Sequence, residues 1–418
     1  LIFKKDIIIV GGGAAGLFAA ATAVDGGASV AILEKNERCG RKIAITGKGR
    51  CNLTNTAEWE EFRTHIHPDG NFFRPAFFGM SNAGVMSFFE SIGLPLTEER
   101  GKRVFPASHR ACDVADILVS YCRKKGVEII SGCEIKSIER KGNGYVCHAS
   151  YMTDSDAKFY SGKLIIATGG LSYPRTGSTG DGYLFAESLG HCVTKRLPSL
   201  TALLPENYDR SLEGISLKNI SLTLTINGNT ASSEFGDMDF TDGGIEGPLG
   251  FKLSRKAVSA LSDGQKVDII LDLKPAVSDE KLSARILREL KGMGISTVDF
   301  TPDVTRKLLA RLMPLALIRP FLKANGNLSS ENIVSSLKNW KMHIVSNVGY
   351  ERCVVTAGGV SLKEISRKTM ESKFSPGLYF AGEVMDLDGD TGGYNLQIAF
   401  STGALAAKSA VSSLAKEQ

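Results

Sequence analysis

Apolar and polar positions in the first thirty-four residues fall into a strand, a glycine-rich turn, a helix and a second strand. DIIIV, residues 6–10, is a short branched apolar run suited to a strand covered on both faces. It leads into Gly11-Gly12-Gly13-Ala14-Ala15-Gly16 and an alanine-rich helix to about Asp25. SVAIL, residues 29–33, reads as the next parallel strand and ends in Glu34. Ile7–Val24 runs eighteen residues without a charge, close in length to a membrane span or a signal-peptide core. Its internal GGGAAG matches a strand–turn–helix unit instead, so no membrane span is expected.

Further along, VEIISG (127–132), EIKSIER (134–140) and GYVCHAS (144–150) read as strands, with Gly142-Asn143-Gly144 as a hairpin bend. KLIIATGG (163–170) is another buried strand ending in glycines. The character changes after about Leu197-Pro198. SLTLTINGN (221–229) alternates, with Leu222, Leu224 and Ile226 on one face and Asn227-Gly228 as a turn. VDIILDL (267–273) and HIVSNV (343–348) are further strands, separated by three helical patterns. Leu282, Ile286, Leu287 and Leu290 form one apolar stripe. The second pattern covers roughly Val304–Ala316 and stops near Pro320; the third places Ile333, Leu337 and Trp340 on one side. Packing is their plainest role. VVTAGGV (354–360) resumes the character of the first part.

The first unit has the chemistry of a dinucleotide grip. Gly11 permits the turn, Gly13 lets the backbone approach a pyrophosphate, and Gly16 lets helix and strand pack closely. The helix N-terminus offers unpaired N–H groups and a favourable field to phosphates. Glu34 suits the adenosine ribose hydroxyls and would repel a 2′-phosphate. Ala14 and Ala15 inside the turn, and Lys35 beside the acid, join the expected cofactor contacts. A second glycine-dense loop feeding a helix appears at LYFAGEVMDLDGDTGGYNLQIAFSTG, residues 378–403, with the helix running from about Asn395 through Ala407. A cofactor touched by both ends of the chain must be long, and FAD meets that requirement.

Composition narrows the picture. With 418 residues there is room for two or three domains. The 45 glycines gather in short clusters, which suits tight turns against a bound group. A net charge of +5 is a faint basic bias, compatible with an anionic ligand but not the mark of a dedicated nucleic-acid binder. The eight cysteines (39, 51, 112, 122, 133, 147, 192, 353) include no CxxC, so neither a zinc site nor a disulfide framework is indicated and a cytoplasmic location is expected. No metal site is expected, since the six histidines are widely separated and form no HExxH.

TGKGRCNLTN (46–55), GKRVFPAS (101–108), ATGGLSYPRTGSTGDGY (167–183) and GEVMDLDGDTGGYNLQIAFSTG (382–403) resemble the HI0933/YhiN/BaiN-like family of FAD-binding flavoproteins, also labelled NAD(P)/FAD-dependent or aminoacetone-oxidase-like. The resemblance implies an α/β fold, a Rossmann-like FAD domain of the glutathione-reductase type, interrupted by an inserted β-barrel-like domain and a small helical domain. In this sequence the FAD domain would be 1–197 with 354–418, the barrel 198–276 with 342–353, and the helical domain 277–341. In similar flavoproteins the strand at 163–170 returns to the cofactor, which implies Thr168 and Gly169 beside its adenine half. Some relatives are linked to reduction of steroid-like bile-acid intermediates; others are named amine oxidases by similarity.

Around the cofactor, Gly382 and Glu383 open the last loop. Gly393, Tyr394, Asn395 and Leu396 are placed to meet N1 and C2=O of the flavin ring, where reduction puts negative charge. Asp386 or Asp388 suits the ribityl–pyrophosphate region, or caps a turn. Tyr173-Pro174 and Gly177–Asp181 form a further candidate wall around the ring. ITGKGRCNLTN, residues 45–55, does not fit GxxxxGK[ST], because Gly49 follows Lys48. Lys42, Thr46 and Gly47 are read as contacts to the phosphates and ribityl side, with Gly49 allowing backbone approach and Arg50, Cys51 and Asn52 closer to the ring. Cys51 is the candidate catalytic thiol, with Arg50 to favour its thiolate, yet there is no resolving cysteine and no defined base. A small residue packed near flavin explains it equally well. Tyr394 is a candidate for stacking or proton donation. His109 reads as structural, while Arg103 and Arg110 suit an anionic substrate.

The insertion holds no second GxGxxG, so NAD(P)H enters only as a transient reductant. The expected function is hydride transfer between flavin N5 and an unidentified small organic substrate, with NAD(P)H or O₂ as redox partner. Flavin-dependent RNA modification is the alternative, although the basic residues form only scattered pairs such as Lys124-Lys125. A non-catalytic flavin redox sensor is the third reading. The sequence leaves the oligomeric state open.

Overall fold

Ile7–Val10 and Val30–Leu33 are buried, as an apolar run must be when helices cover both faces of a parallel sheet. In the computed structural model, which describes residues 2–295 and 301–417, the strand Ile2–Val10 pairs in parallel with Val30–Glu34 on one side and with Asp154–Ile166 on the other. Glu128–Ser131 adds a parallel strand outside Val30–Glu34. The other edge of Asp154–Ile166 is shared between two further partners. Its first half pairs antiparallel with Gly144–Tyr151, and Leu164–Ile166 pairs in parallel with Leu378–Phe380. Cys133–Lys141 completes a seven-stranded sheet. The fold is a Rossmann-type FAD-binding α/β fold, as the resemblance implied.

The helix Ala14–Asp25 packs against the C-terminal helix Tyr394–Glu417 and against Ala111–Lys124. Small residues allow the close approach: a Cβ on Gly403 would lie 2.4 Å from the Ala15 carbonyl oxygen. Tyr394–Lys416 is long and apolar enough to cross a membrane, but half of its most apolar window is buried inside the protein. Ala14–Asp25, the helix of the uncharged run, has only 12 residues, short of the roughly 20 a span needs.

The described residues divide into two compact units, Leu1–Leu197 with Tyr350–Gln418, and Pro198–Gly349. In the second unit a closed barrel runs in the order Leu203–Pro205, Gly244–Glu246, Asn229–Thr241, Ser216–Ile226, Val267–Asp272, Trp340–Asn347. Leu222 and Leu224 point inward, with Phe240, Ile269 and Ile344 also fully buried. The helices Asp279–Gly292, Pro302–Ala310, Leu315–Asn325 and Ile333–Lys338 belong to this same unit.

Several details differ from the sequence pattern. Leu287 is 58% exposed, so the stripe of its helix is Leu282, Ile286 and Leu290. Pro320 lies inside Leu315–Asn325 instead of ending a helix. Trp340 opens the last barrel strand, because its backbone pairs with Leu271. The helix Gly247–Ser262, packed on the strand Asn229–Thr241, was not anticipated.

Candidate functional site

One cavity in the first unit runs from the glycine turn to the start of the C-terminal helix. At Gly11, φ is +101° and a Cβ would lie 2.6 Å from the Ala167 carbonyl oxygen. Only glycine lets the turn rest on the end of strand Asp154–Ile166. A Cβ on Gly16 would lie 1.9 Å from the Gly11 oxygen, so Gly16 sits beneath the turn and outside the cavity lining. A Cβ on Gly13 would meet nothing within 4 Å, and Gly13 is the N-cap of Ala14–Asp25 with no side-chain cap bond. The first-turn N–H groups, which have no intrahelical partners, therefore open beside Gly13, Ala14 and Ala15 in the cavity wall.

Glu34 ends the second strand and is buried in that wall. One carboxylate oxygen accepts the Gly12 N–H at 2.7 Å; the other accepts the Asn36 N–H at 2.8 Å and its side-chain amide at 2.6 Å. Lys35 bonds Asp181 at 2.5 Å and also reaches Thr179. The Asn36 amide donates to the Thr176 oxygen at 3.2 Å. Residues 176–181 therefore close the Glu34 end of the cavity, not the ring end where the sequence reading set them. Their place follows from Lys35 and Asn36, whose side chains draw this loop toward the second strand. Asn36, Cys133, Ile135 and Phe185 also line the cavity. Sequence reasoning missed them, because nothing along the chain signals which strand edge faces a ligand.

At the middle, Lys42 bonds Glu383 at 2.7 Å and contacts Ser172. Glu383 also accepts from the Thr356 N–H at 2.8 Å and the Ser172 hydroxyl at 2.7 Å. Thr168 and Gly169 line this stretch, and the buried Thr168 hydroxyl has no hydrogen-bond partner among the described residues. At Gly382, φ is +75° and a Cβ would lie 2.8 Å from the Ala15 Cβ, so the two loops approach closely there.

Thr46, Val354, Val355, Leu387, Asn395 and Leu396 line the far end. The rest of the 46–52 loop does not line the cavity: Gly47 and Gly49 are exposed, and Arg50, Cys51 and Asn52 do not border it. Cys51 is fully buried at φ +58°. Burial pushes its thiol up to about 12, although the Thr46 side chain acts in the opposite direction. A thiol so held favours its protonated form, which makes it a poor nucleophile. Arg50 does not favour its thiolate; it pairs with Glu99, lies 4.4 Å above the Phe105 ring and meets His109 at 3.0 Å. Asn52 is half-buried, and its buried Oδ1 has no hydrogen-bond partner among the described residues, 2.9 Å from where a Gly393 Cβ would stand.

Tyr394 packs among aromatic rings. Its ring stacks on His65 at 4.4 Å and meets Phe62 edge-on at 4.8 Å, and burial raises its phenol. It is a packing residue outside the cavity wall, as Gly393 is outside it. Asp388 is buried in the short strand Asp388–Gly389, paired with Ile66–His67, and it does not line the cavity; its neighbour Leu387 does.

The first glycine turn and the start of the C-terminal helix at Asn395 and Leu396 thus border one cavity, whose wall also carries Lys42 and Glu34. An elongated anion with hydroxyl groups and a flat apolar end fits this donor set, and FAD is such a molecule. The family model described as HI0933-like protein Rossmann domain matches residues 5–409. The chain belongs to the HI0933-like family. A 3-dehydro-bile acid delta(4,6)-reductase of Clostridium scindens is 31% identical over 408 residues, covering 96% of this chain and 98% of that protein. A ribosomal RNA dihydrouridine synthase of Haemophilus influenzae is 31% identical over 411 residues, covering 95% and 96%. Among solved structures, 3-ketosteroid-delta4-(5alpha)-dehydrogenase from Rhodococcus jostii RHA1, in complex with 4-androstene-3,17-dione, matches with a TM-score of 0.53 at 14% identity, over 98% of this chain and 97% of that one. That last likeness is one of fold.

Proposed function

We propose that this FAD-dependent oxidoreductase of the HI0933-like family reduces a carbon–carbon double bond conjugated to a carbonyl group in an organic substrate. One observation carries the reading. Two relatives that match nearly the whole chain bear names describing the same chemical change. A 3-dehydro bile acid with Δ4,6 unsaturation is a conjugated dienone, and the uracil double bond lost in forming dihydrouridine is conjugated to a carbonyl.

When bound, FAD supplies the hydride at its N5. The chain's own residues bind and orient it. Gly11, Gly13, Ala14 and Ala15 form the pyrophosphate cradle with Gly16 packed beneath it, Glu34 and Lys35 stand at the ribose end, and Thr168 and Gly169 lie between that end and the middle. Lys42 lies along the middle, with Gly382 and Glu383 opposite, and Thr46 stands at the far end. Asn395 and Leu396 present the start of a helix, whose positive end stabilises negative charge on a reduced ring. Electrons come from NAD(P)H docking transiently over the ring. A cytoplasmic setting agrees with eight cysteines that form no disulfide among the described residues.

The test is anaerobic. The purified protein is loaded with FAD and titrated with NADH and NADPH, and the reduced form is then mixed with a steroid dienone or with uridine-containing RNA. Reoxidation by the dienone supports a small-molecule substrate; reoxidation by RNA alone supports the second reading, favoured by the Haemophilus relative. No reoxidation by either, together with rapid reoxidation by O₂, would falsify the reductase assignment.

A further inference from the structure

Three side chains from distant parts of the sequence converge on the second glycine turn. His65 Nδ1 lies 2.8 Å from one oxygen of Asp390, and His67 Nε2 lies 3.0 Å from the other. The backbones join at the same place: the Asp390 N–H donates to the His65 oxygen at 2.9 Å, and Ile66–His67 pairs antiparallel with Asp388–Gly389. Tyr394, stacked on His65, closes one side. From the other side Asn395 accepts the Gly389 N–H at 2.8 Å and donates to the Gly389 oxygen at 2.7 Å and the Asp390 oxygen at 3.2 Å.

The turn needs such ties. Gly392 and Gly393 stand at φ +128° and +100°, and glycines supply little stiffness of their own. Asp390 is 16% exposed and uses both carboxylate oxygens on the histidines. Burial alone would raise its carboxyl, but the hydrogen bonds from His65 and His67 hold it at about 2. It is therefore an anion at neutral pH, able to make charge-assisted bonds. The residue it steadies through the turn, Asn395, is itself part of the cavity wall.

We propose that His65 and His67 are positioning residues that act through Asp390, fixing the turn so that Asn395 and the first N–H groups of the C-terminal helix are set to receive the flavin. The proposal rests on the FAD reading. Asp390 is the hub of the clamp, and the histidines contribute only while its carboxylate is there to accept from them.

The test uses the full chain, stripped of flavin and titrated with FAD, with bound-flavin absorbance and FAD affinity as readouts and circular dichroism to check the fold. Asp390→Asn should weaken FAD binding about tenfold, the size expected for loss of a hydrogen bond to a charged group, and His65→Gln or His67→Gln about threefold each, because the other histidine still holds the carboxylate. Adding His67→Gln to Asp390→Asn should cost less than about twofold more, because residues in one network are not additive. A merely structural role would lower the melting temperature without this coupling. Should Asp390→Asn not fold, the His65→Gln and His67→Gln pair supplies the same cycle, with sub-additive effects expected. Folded variants that bind FAD as tightly as the parent, or effects that simply multiply, overturn the clamp. A parent protein that takes up no FAD overturns the flavin reading and the clamp together.

Discussion

The turn at Gly11–Gly16 and the turn at Gly389–Gly393 each deliver a helix N-terminus to the cavity, but they are held differently. The first is wedged by main chain. Its glycines touch the Ala167 and Gly11 oxygens, and its Gly12 N–H bonds a carboxylate only 22 residues away. The second is tied by side chains more than 300 residues distant: His65, His67 and Asn55, whose amide donates to the Gly392 oxygen at 3.0 Å. Steric wedging has no intermediate state, because a backbone carbonyl cannot give way to a Cβ. Hydrogen-bonded ties can be removed one at a time. The first turn should fail all at once, and the second by degrees except at its one main-chain contact, Gly393 against the Thr54 oxygen.

Gly16→Val attacks the wedge directly, since its Cβ would stand 1.9 Å from a backbone oxygen. FAD uptake should disappear, a loss of more than about 100-fold by fluorescence titration, consistent with several kcal/mol of overpacking. Retained binding would mean the first turn is as adaptable as the second. Gly393 is the steric point of the second turn, at φ +100° with a Cβ 2.3 Å from the Thr54 oxygen. Gly393→Ala should cost about 2–4 kcal/mol in denaturant unfolding, less than the damage at Gly16.

The ties of the second turn should also show in acid. The carboxyl of Asp390 sits at about 2 in the folded protein against its ordinary 3.8. A depressed carboxyl adds stability that is complete above its unfolded value and is lost as pH falls through the folded one. Urea unfolding between pH 5 and pH 2 should therefore show a contribution of roughly 2 kcal/mol disappearing below about pH 4, absent in Asp390→Asn. A parent and variant that lose stability in parallel would remove Asp390 from the account. The smallest effect is expected at Cys51, which neither turn uses. Cys51→Ala should keep its flavin and turn over within about twofold of the parent, at a stability cost of about 1 kcal/mol. Lost turnover with flavin retained would restore a role for the thiol.

The first turn was legible because its parts are contiguous. An apolar strand, three glycines, an alanine-rich helix and an acid at Glu34 follow in the order of their contacts, and each conformational need is met by a neighbour in sequence. The barrel was legible in part, through the alternation at Leu222 and Leu224. The loop at 46–52 was legible only as glycine-rich and close to the cofactor. That Thr46 reaches the cavity while Cys51 turns into the core depends on φ at Lys48 and Cys51, +56° and +58°, which composition does not predict. Asp386, Asp388 and Asp390 looked alike along the chain. The pairing of Asp388–Gly389 with Ile66–His67 brings Asp390 to the histidines.

By itself the sequence determined the glycine cradle, the acid at the end of the second strand, the parallel sheet and the break in character near 197, because these rest on short-range sterics and on the period of apolar positions. Only the tertiary structure decided that residues 176–181 close the Glu34 end, that Cys51 is a core residue, and that His65, His67 and Asp390 form one cluster. Those outcomes depend on which surfaces meet after the chain has folded. Burial and hydrogen-bond partners are properties of that meeting, and no stretch of contiguous residues carries them.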